Sequence, residues 1–80
     1  MTNRIITVAE ETFMTEPGVI TSETNNLELE EWDSLGSVFF ITALEKEFNI
    51  KIDTSDTFKI RSISTAEEVI KKSLSKIIIT

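Results

Sequence analysis

Apolar residues recur every three or four positions at the start of the chain, a spacing that predicts an amphipathic helix over about residues 4–14. Pro17-Gly18 follows and is expected to stop it. A second helix is predicted over about residues 34–48. Asp33 or Ser34 can cap its start by accepting hydrogen bonds from free backbone N–H groups, and Asn49 can supply the left-handed residue that ends it.

A third helix is predicted over about residues 64–76. Ser64-Thr65-Ala66-Glu67 matches the reciprocal capping pattern of a serine and a glutamate three positions later. A short helix near 54–60, with Phe58 and Ile60 pointing inward, has a weaker signal. Alternation typical of a strand is confined to Ile50-Lys51-Ile52. The core is expected to contain Phe13, Phe40, Ile41, Leu44, Phe48, Ile63, Val69 and Ile70.

A long loop separates the first two predicted helices and has no periodicity. A loop of this length in a small domain is expected to be functional or held against the core. The side chains that could hold it there are Val19, Ile20, Leu27, Leu29 and Trp32.

The second predicted helix has two apolar faces. The face expected to meet the core carries Phe40, Ile41, Leu44 and Phe48. Nearly opposite it lie Leu35, Val38 and Phe39, beside Thr42 and Lys46. One stripe suffices for a surface helix, so the second is either covered by other parts of the chain or open to a partner. We expect a docking surface made of Leu35, Val38, Phe39 and Thr42.

The length of 80 residues is enough for one small domain. The composition limits the chemistry that this domain can perform. With no cysteine there is no disulfide or thiolate metal site, and with no histidine the commonest general base is missing. The longest uninterrupted apolar run, Val38–Ile41, is too short to span a membrane. A soluble, cytoplasmic, monomeric protein is expected, with residues 1–76 as the domain and 77–80 as a short apolar tail of undetermined role.

The net charge of −6 is unevenly distributed. Residues 1–47 carry ten acidic and two basic side chains, whereas residues 48–80 carry four acidic and six basic ones. The acidic part contains Ser34, so nucleic acid is an unsuitable partner and basic proteins would be attracted to this end. The alternative is that the acidic side chains only keep a small domain soluble.

Ser34 has three possible roles. As a nucleophile it would need a nearby base, which the local sequence does not provide. A site for a hard cation is conceivable at Glu28, Glu30, Glu31 and Asp33, but their spacing matches no calcium-loop pattern, so no resident metal is expected. As a modification site at the start of a helix, it would place a phosphodiester beside free N–H groups. As a plain helix cap it would have no chemistry at all, and the protein would then be a non-catalytic helical interaction module.

Three stretches resemble the acyl carrier protein family. They are EWDSLGSV at 31–38, which resembles the family's Asp-Ser-Leu attachment motif, ALEKEFNIKI at 43–52, and IRSI at 60–63. They occur in family order and without gaps from about residue 31 to residue 70. The resemblance implies an all-α, acyl-carrier-like four-helix bundle with a short third helix and a long first loop.

The resemblance also implies a function without catalysis. Ser34 would carry 4'-phosphopantetheine, attached by a phosphopantetheinyl transferase with magnesium, and Asp33 would assist the attachment. The arm would hold acyl or aminoacyl groups as thioesters for loading and transfer enzymes, which would contact Leu35 and Val38. Gly36, Phe39 and Lys46 make the docking face less negative than in fatty-acid carriers, and 32–36 resembles specialised discrete carriers, including D-alanyl carriers.

Overall fold

Helices account for all the regular secondary structure in the computed structural model, which describes residues 1–79 and the side chains as far as Ser75. The described part of the chain contains α1 (Thr2–Phe13), α2 (Ser34–Phe48), the short α3 (Thr54–Thr57) and α4 (Ile63–Ile79). A 3₁₀ turn at Asn26–Glu28 lies in the long first loop. The side chains of the predicted tail at 77–80 lie outside the described residues.

The ends of α2 are where the sequence predicts them. Asp33 is the residue before the helix, and its carboxylate accepts a hydrogen bond from the N–H of Gly36. Asn49 ends the helix in the left-handed conformation, with φ 53° and ψ 51°. By contrast, α1 ends before Pro17-Gly18, because Met14 turns left-handed at φ 57° and its N–H bonds to the carbonyl of Glu10.

The start of α4 differs from the prediction. The reciprocal capping pair is Ser62 and Thr65: the hydroxyl of Ser62 accepts from the N–H of Thr65 at 3.1 Å, and the hydroxyl of Thr65 accepts from the N–H of Ser62 at 3.0 Å. Ser64 therefore lies inside the first turn. Glu67 instead accepts a hydrogen bond from the Thr2 hydroxyl at 2.7 Å, which joins α4 to α1.

The core lies where α1 packs against α2 and α4. Its most completely buried large side chains are Ile5, Phe40, Leu44, Ile63 and Ile70. The predicted core residues Phe13 and Val69 are also buried. Ile41 and Phe48 are only half-buried and pack against the margin of the core, since α2 turns part of its circumference to solvent.

Two side chains hold the long loop against the core. Ile20 and Trp32 are buried as expected, and Leu29 is half-buried. Val19 and Leu27 are 52% and 90% exposed, so the prediction that they hold the loop is wrong. The loop is also held by its backbone, because Asn26 N–H donates to the Arg61 carbonyl at 2.7 Å and Ile63 N–H donates to the Thr24 carbonyl at 3.0 Å.

The segment around α3 differs from the prediction at Phe58 and contains a buried, ion-paired aspartate. Ile60 is buried, but Phe58 is 71% exposed and does not point inward. Asp56 is buried and pairs with Lys59 at 3.2 Å and with Lys72 of α4 at 3.3 Å. The hydrogen bond from Lys59, followed by the contact with Lys72, lowers the pKa of Asp56 despite its burial. The ion pair between Asp56 and Lys72 links α3 to α4.

Candidate functional site

Ser34 is the first residue of α2, and its side chain is exposed. The cap of the helix is Asp33, whose Oδ1 accepts from the Gly36 N–H at 2.8 Å. Among the described residues, the Ser34 hydroxyl has no hydrogen-bond partner. The interpretation of Ser34 as a plain helix cap is therefore wrong: a neighbouring residue does the capping, and the serine hydroxyl is left accessible beside it.

Gly36 allows the segment before Ser34 to lie directly against α2. A Cβ atom at this buried position would overlap the carbonyl oxygen of Glu31 and lie 3.3 Å from Oδ1 of Asp33. The segment 31–33 thus packs directly on the first turn of α2. Gly36 faces this segment and not the solvent, so the absence of an acidic side chain here is a packing requirement.

Trp32 anchors the other side of this segment. Its ring stacks on Phe13 with centroids 5.2 Å apart and meets Phe40 edge-on at 5.2 Å. The indole is buried, and within the described residues its N–H has no partner. Aromatic packing of this kind adds about 0.5–1.5 kcal/mol per pair beyond area burial. Asp33 and Ser34 therefore follow a residue fixed in the core.

The predicted docking residues form an exposed surface on α2. Leu35, Val38 and Phe39 are 63%, 56% and 57% exposed. Thr42 is exposed beside them, and its hydroxyl donates to the carbonyl of Val38 at 2.9 Å. The described part of the chain leaves this apolar face open, immediately after Ser34.

A cleft of ≈ 560 Å³ adjoins Ser34, between α2 and the segment that joins α3 to α4. Trp32, Val38, Ile41, Phe58 and Ile60 supply its apolar lining, and Asn26, Asp33, Ser34, Ser37, Thr57 and Arg61 supply polar groups. Of these polar residues, the sequence predicts Asp33 and Ser34 as site residues but not Asn26, Ser37, Thr57 or Arg61. In the sequence, Arg61 is distinguished only by its place in the 60–63 stretch that resembles the carrier family.

The acidic side chains just before α2 are open to solvent. Glu28, Glu30, Glu31 and Asp33 are exposed. No group of three or more Asp or Glu side chains within the described residues is arranged to hold a metal ion. Across residues 1–79, none of the helices has both the length and the apolarity needed to cross a membrane.

Comparisons with known proteins point to one family. The family described as "Phosphopantetheine attachment site" matches residues 3–70. Among solved structures, the solution NMR structure of a holo acyl carrier protein from Geobacter metallireducens has a TM-score of 0.82 and 22% sequence identity, and the match covers 96% of this chain and 88% of that one. The search of curated proteins gave no match.

Proposed function

The chain belongs to the phosphopantetheine attachment family and has the acyl carrier fold, and on that basis we propose that Ser34 is its attachment residue. As a member of this family it is a carrier protein that bears 4'-phosphopantetheine covalently. When attached, the arm supplies a thiol that holds acyl or aminoacyl groups as thioesters.

The single observation that carries the proposal is the free hydroxyl of Ser34. It lies at the exposed first residue of α2 and has no hydrogen-bond partner among the described residues. A phosphodiester on this oxygen would lie next to the free N–H groups of the first turn and the positive end of the helix dipole, which stabilise an anion. The residues present therefore fit the group.

Asp33 has a second role in this proposal. One carboxylate oxygen caps α2 through the Gly36 N–H. Carboxylates are ordinary ligands of magnesium ions that also bind phosphates. During transfer from coenzyme A by the transferase, Asp33 would help to hold the magnesium ion next to the Ser34 hydroxyl.

The exposed face of Leu35, Val38, Phe39 and Thr42 is proposed as the contact surface for the transferase and for acyl- or aminoacyl-handling enzymes. It adjoins Ser34 on the same helix, so a bound enzyme would have the arm within reach. Exposed glutamates at 28, 30 and 31 would attract a partner with a basic rim. Tethering then replaces diffusion of free substrate by a short search.

The test is loading with a broad-specificity phosphopantetheinyl transferase, coenzyme A and magnesium, followed by intact mass. We expect one phosphopantetheine per chain in the wild type and none in Ser34→Ala. No gain of mass under conditions that load a control carrier, or a gain that persists in Ser34→Ala, would refute the assignment.

A matched variant separates the two roles of Asp33. Asparagine caps helices as well as aspartate does, so Asp33→Asn is expected to keep the thermal stability while loading more slowly. Loading at the wild-type rate at limiting magnesium would mean that Asp33 serves only as the cap.

A further inference from the structure

Arg61 lies in the same cleft as Ser34 and is the only cation of the described residues that line it. The chain contains one other arginine, Arg4, which pairs with Glu47 through both Nε and Nη2. Within the described part of the chain, Arg61 has no carboxylate partner. It is therefore a cation available to bind an anion that enters the cleft.

The backbone of Arg61 is held in place from several sides. Its N–H donates to the Lys59 carbonyl at 3.0 Å and to the Thr65 hydroxyl at 3.2 Å. Its carbonyl accepts from the Asn26 N–H at 2.7 Å. The position of this residue relative to the first loop and α4 is consequently fixed.

The side chain of Arg61 is also oriented. Its Nε donates to the Phe58 carbonyl at 3.3 Å. The two terminal nitrogens have no hydrogen-bond partner among the described residues. A planar guanidinium held in this way can offer parallel N–H groups to two oxygens of a phosphate, an arrangement that lysine cannot reproduce.

The charges around the site favour an anion at Arg61. The only carboxylate lining the cleft belongs to Asp33, and one of its oxygens is engaged by the Gly36 N–H. A phosphodiester on Ser34 adds a negative charge to the acidic part of the chain, where residues 1–47 already carry ten acidic side chains. Without a cation nearby, the phosphodiester would be repelled by these acidic side chains.

We propose that Arg61 binds the phosphodiester of the arm on Ser34 and thereby directs the arm into the cleft. This inference rests on Ser34 being the attachment residue. The N-terminus of α2 and the guanidinium would hold the phosphate between them, while Ile41 and Ile60 provide an apolar floor for the part of the arm that follows. Arg61 is thus a positioning residue that has no part in the loading chemistry.

The experiment compares apo and holo forms of four proteins: wild type, Arg61→Gln, Arg61→Lys and Lys51→Gln. Lys51 is exposed and does not line the cleft, so its substitution removes one charge elsewhere. Melting is followed by circular dichroism at low ionic strength. A general effect of a substitution on the fold appears in both forms and cancels in the holo-minus-apo difference.

We expect the arm to raise the melting temperature of the wild type and of Lys51→Gln by about 1–5 °C. In Arg61→Gln the shift is expected to vanish or become negative, and Arg61→Lys should keep part of it. The wild-type shift should shrink at high salt. As a direct readout, the Arg61 guanidinium resonances in ¹⁵N NMR should move on loading, together with a ³¹P shift that differs in Arg61→Gln.

A holo-minus-apo shift in Arg61→Gln equal to that of Lys51→Gln would overturn the inference. So would guanidinium resonances that stay unchanged on loading of the wild type, a result that does not depend on any variant folding. Neither outcome affects the assignment of Ser34 as the attachment residue, because both are measured on protein that already carries the arm. Failure of the wild type to load is a different result, and it would refute the attachment site and this inference together.

Discussion

Replacing Gly36 by alanine tests how tightly the segment before Ser34 packs on α2. The new Cβ would overlap the carbonyl oxygen of Glu31 and lie 3.1 Å from its carbonyl carbon. Because these are backbone atoms, no side-chain rotation can relieve the overlap. Either residues 31–33 move away from the helix or the first turn of α2 distorts.

The size of the effect follows from two opposing contributions. Overpacking a well-packed site costs about 1–3 kcal/mol, and moving Asp33 weakens its 2.8 Å bond to the N–H of residue 36. Alanine in a helix gains about 1 kcal/mol over glycine. A net loss of about 1–2 kcal/mol remains, which for a domain of this size lowers the melting temperature by about 4–15 °C.

Thermal unfolding of the apo protein measures this loss, and Ser34→Ala is the matched control. Ser34 is exposed on the same helical turn and its hydroxyl has no partner among the described residues, so its loss should change stability by no more than about 0.5 kcal/mol. Gly36→Ala should also be loaded more slowly, because Asp33 is displaced. A melting temperature equal to or above that of the wild type would refute the packing argument.

Two further changes test the docking surface and the α3–α4 ion pair. Val38→Ser with Phe39→Ser should lower turnover by partner enzymes about tenfold while barely altering the melting temperature, since both side chains are more than half exposed; a large loss of stability would instead place them in the core. The pKa of Asp56 is lowered by Lys59 and Lys72, so its folded-state pKa lies below the unfolded value. Its contribution to stability is therefore present above about pH 4 and lost as the pH falls through the folded-state pKa. Urea unfolding should show that the stability gap between wild type and Asp56→Asn narrows on acidification, and a gap independent of pH would contradict this.

Local signals in the sequence predicted the helix that presents Ser34. Asp33 and Asn49 mark the two ends of α2 because each acts on backbone groups only a few residues away. Asp33 accepts a hydrogen bond from the Gly36 N–H, and Asn49 takes up the left-handed conformation. The same type of signal was ambiguous at α4, where Ser62 and Ser64 each precede a residue that could complete a capping pair three positions later. In the structure the earlier serine is the cap: Ser62 and Thr65 form the reciprocal bonds, and the first loop also bonds to the backbone at 61 and 63.

Burial in the connecting segments could not be predicted from periodicity. Phe58 and Leu27 are apolar but exposed, whereas the charged Asp56 is buried because Lys59 and Lys72 surround it. The cleft escaped prediction for a related reason: its walls come from positions far apart in the chain. Their proximity depends on how the helices pack, which no short stretch of sequence specifies.

The position of Trp32 provides a native optical reporter of the site. It is the only tryptophan in the chain, its ring is buried against Phe13, and the residue is part of the lining of the cleft beside Ser34. Emission from this indole thus comes from a single dry environment, next to the surface that an arm or its cargo would cover. Occupancy of the cleft can accordingly be followed by fluorescence in the unlabelled protein, in real time and at low concentration.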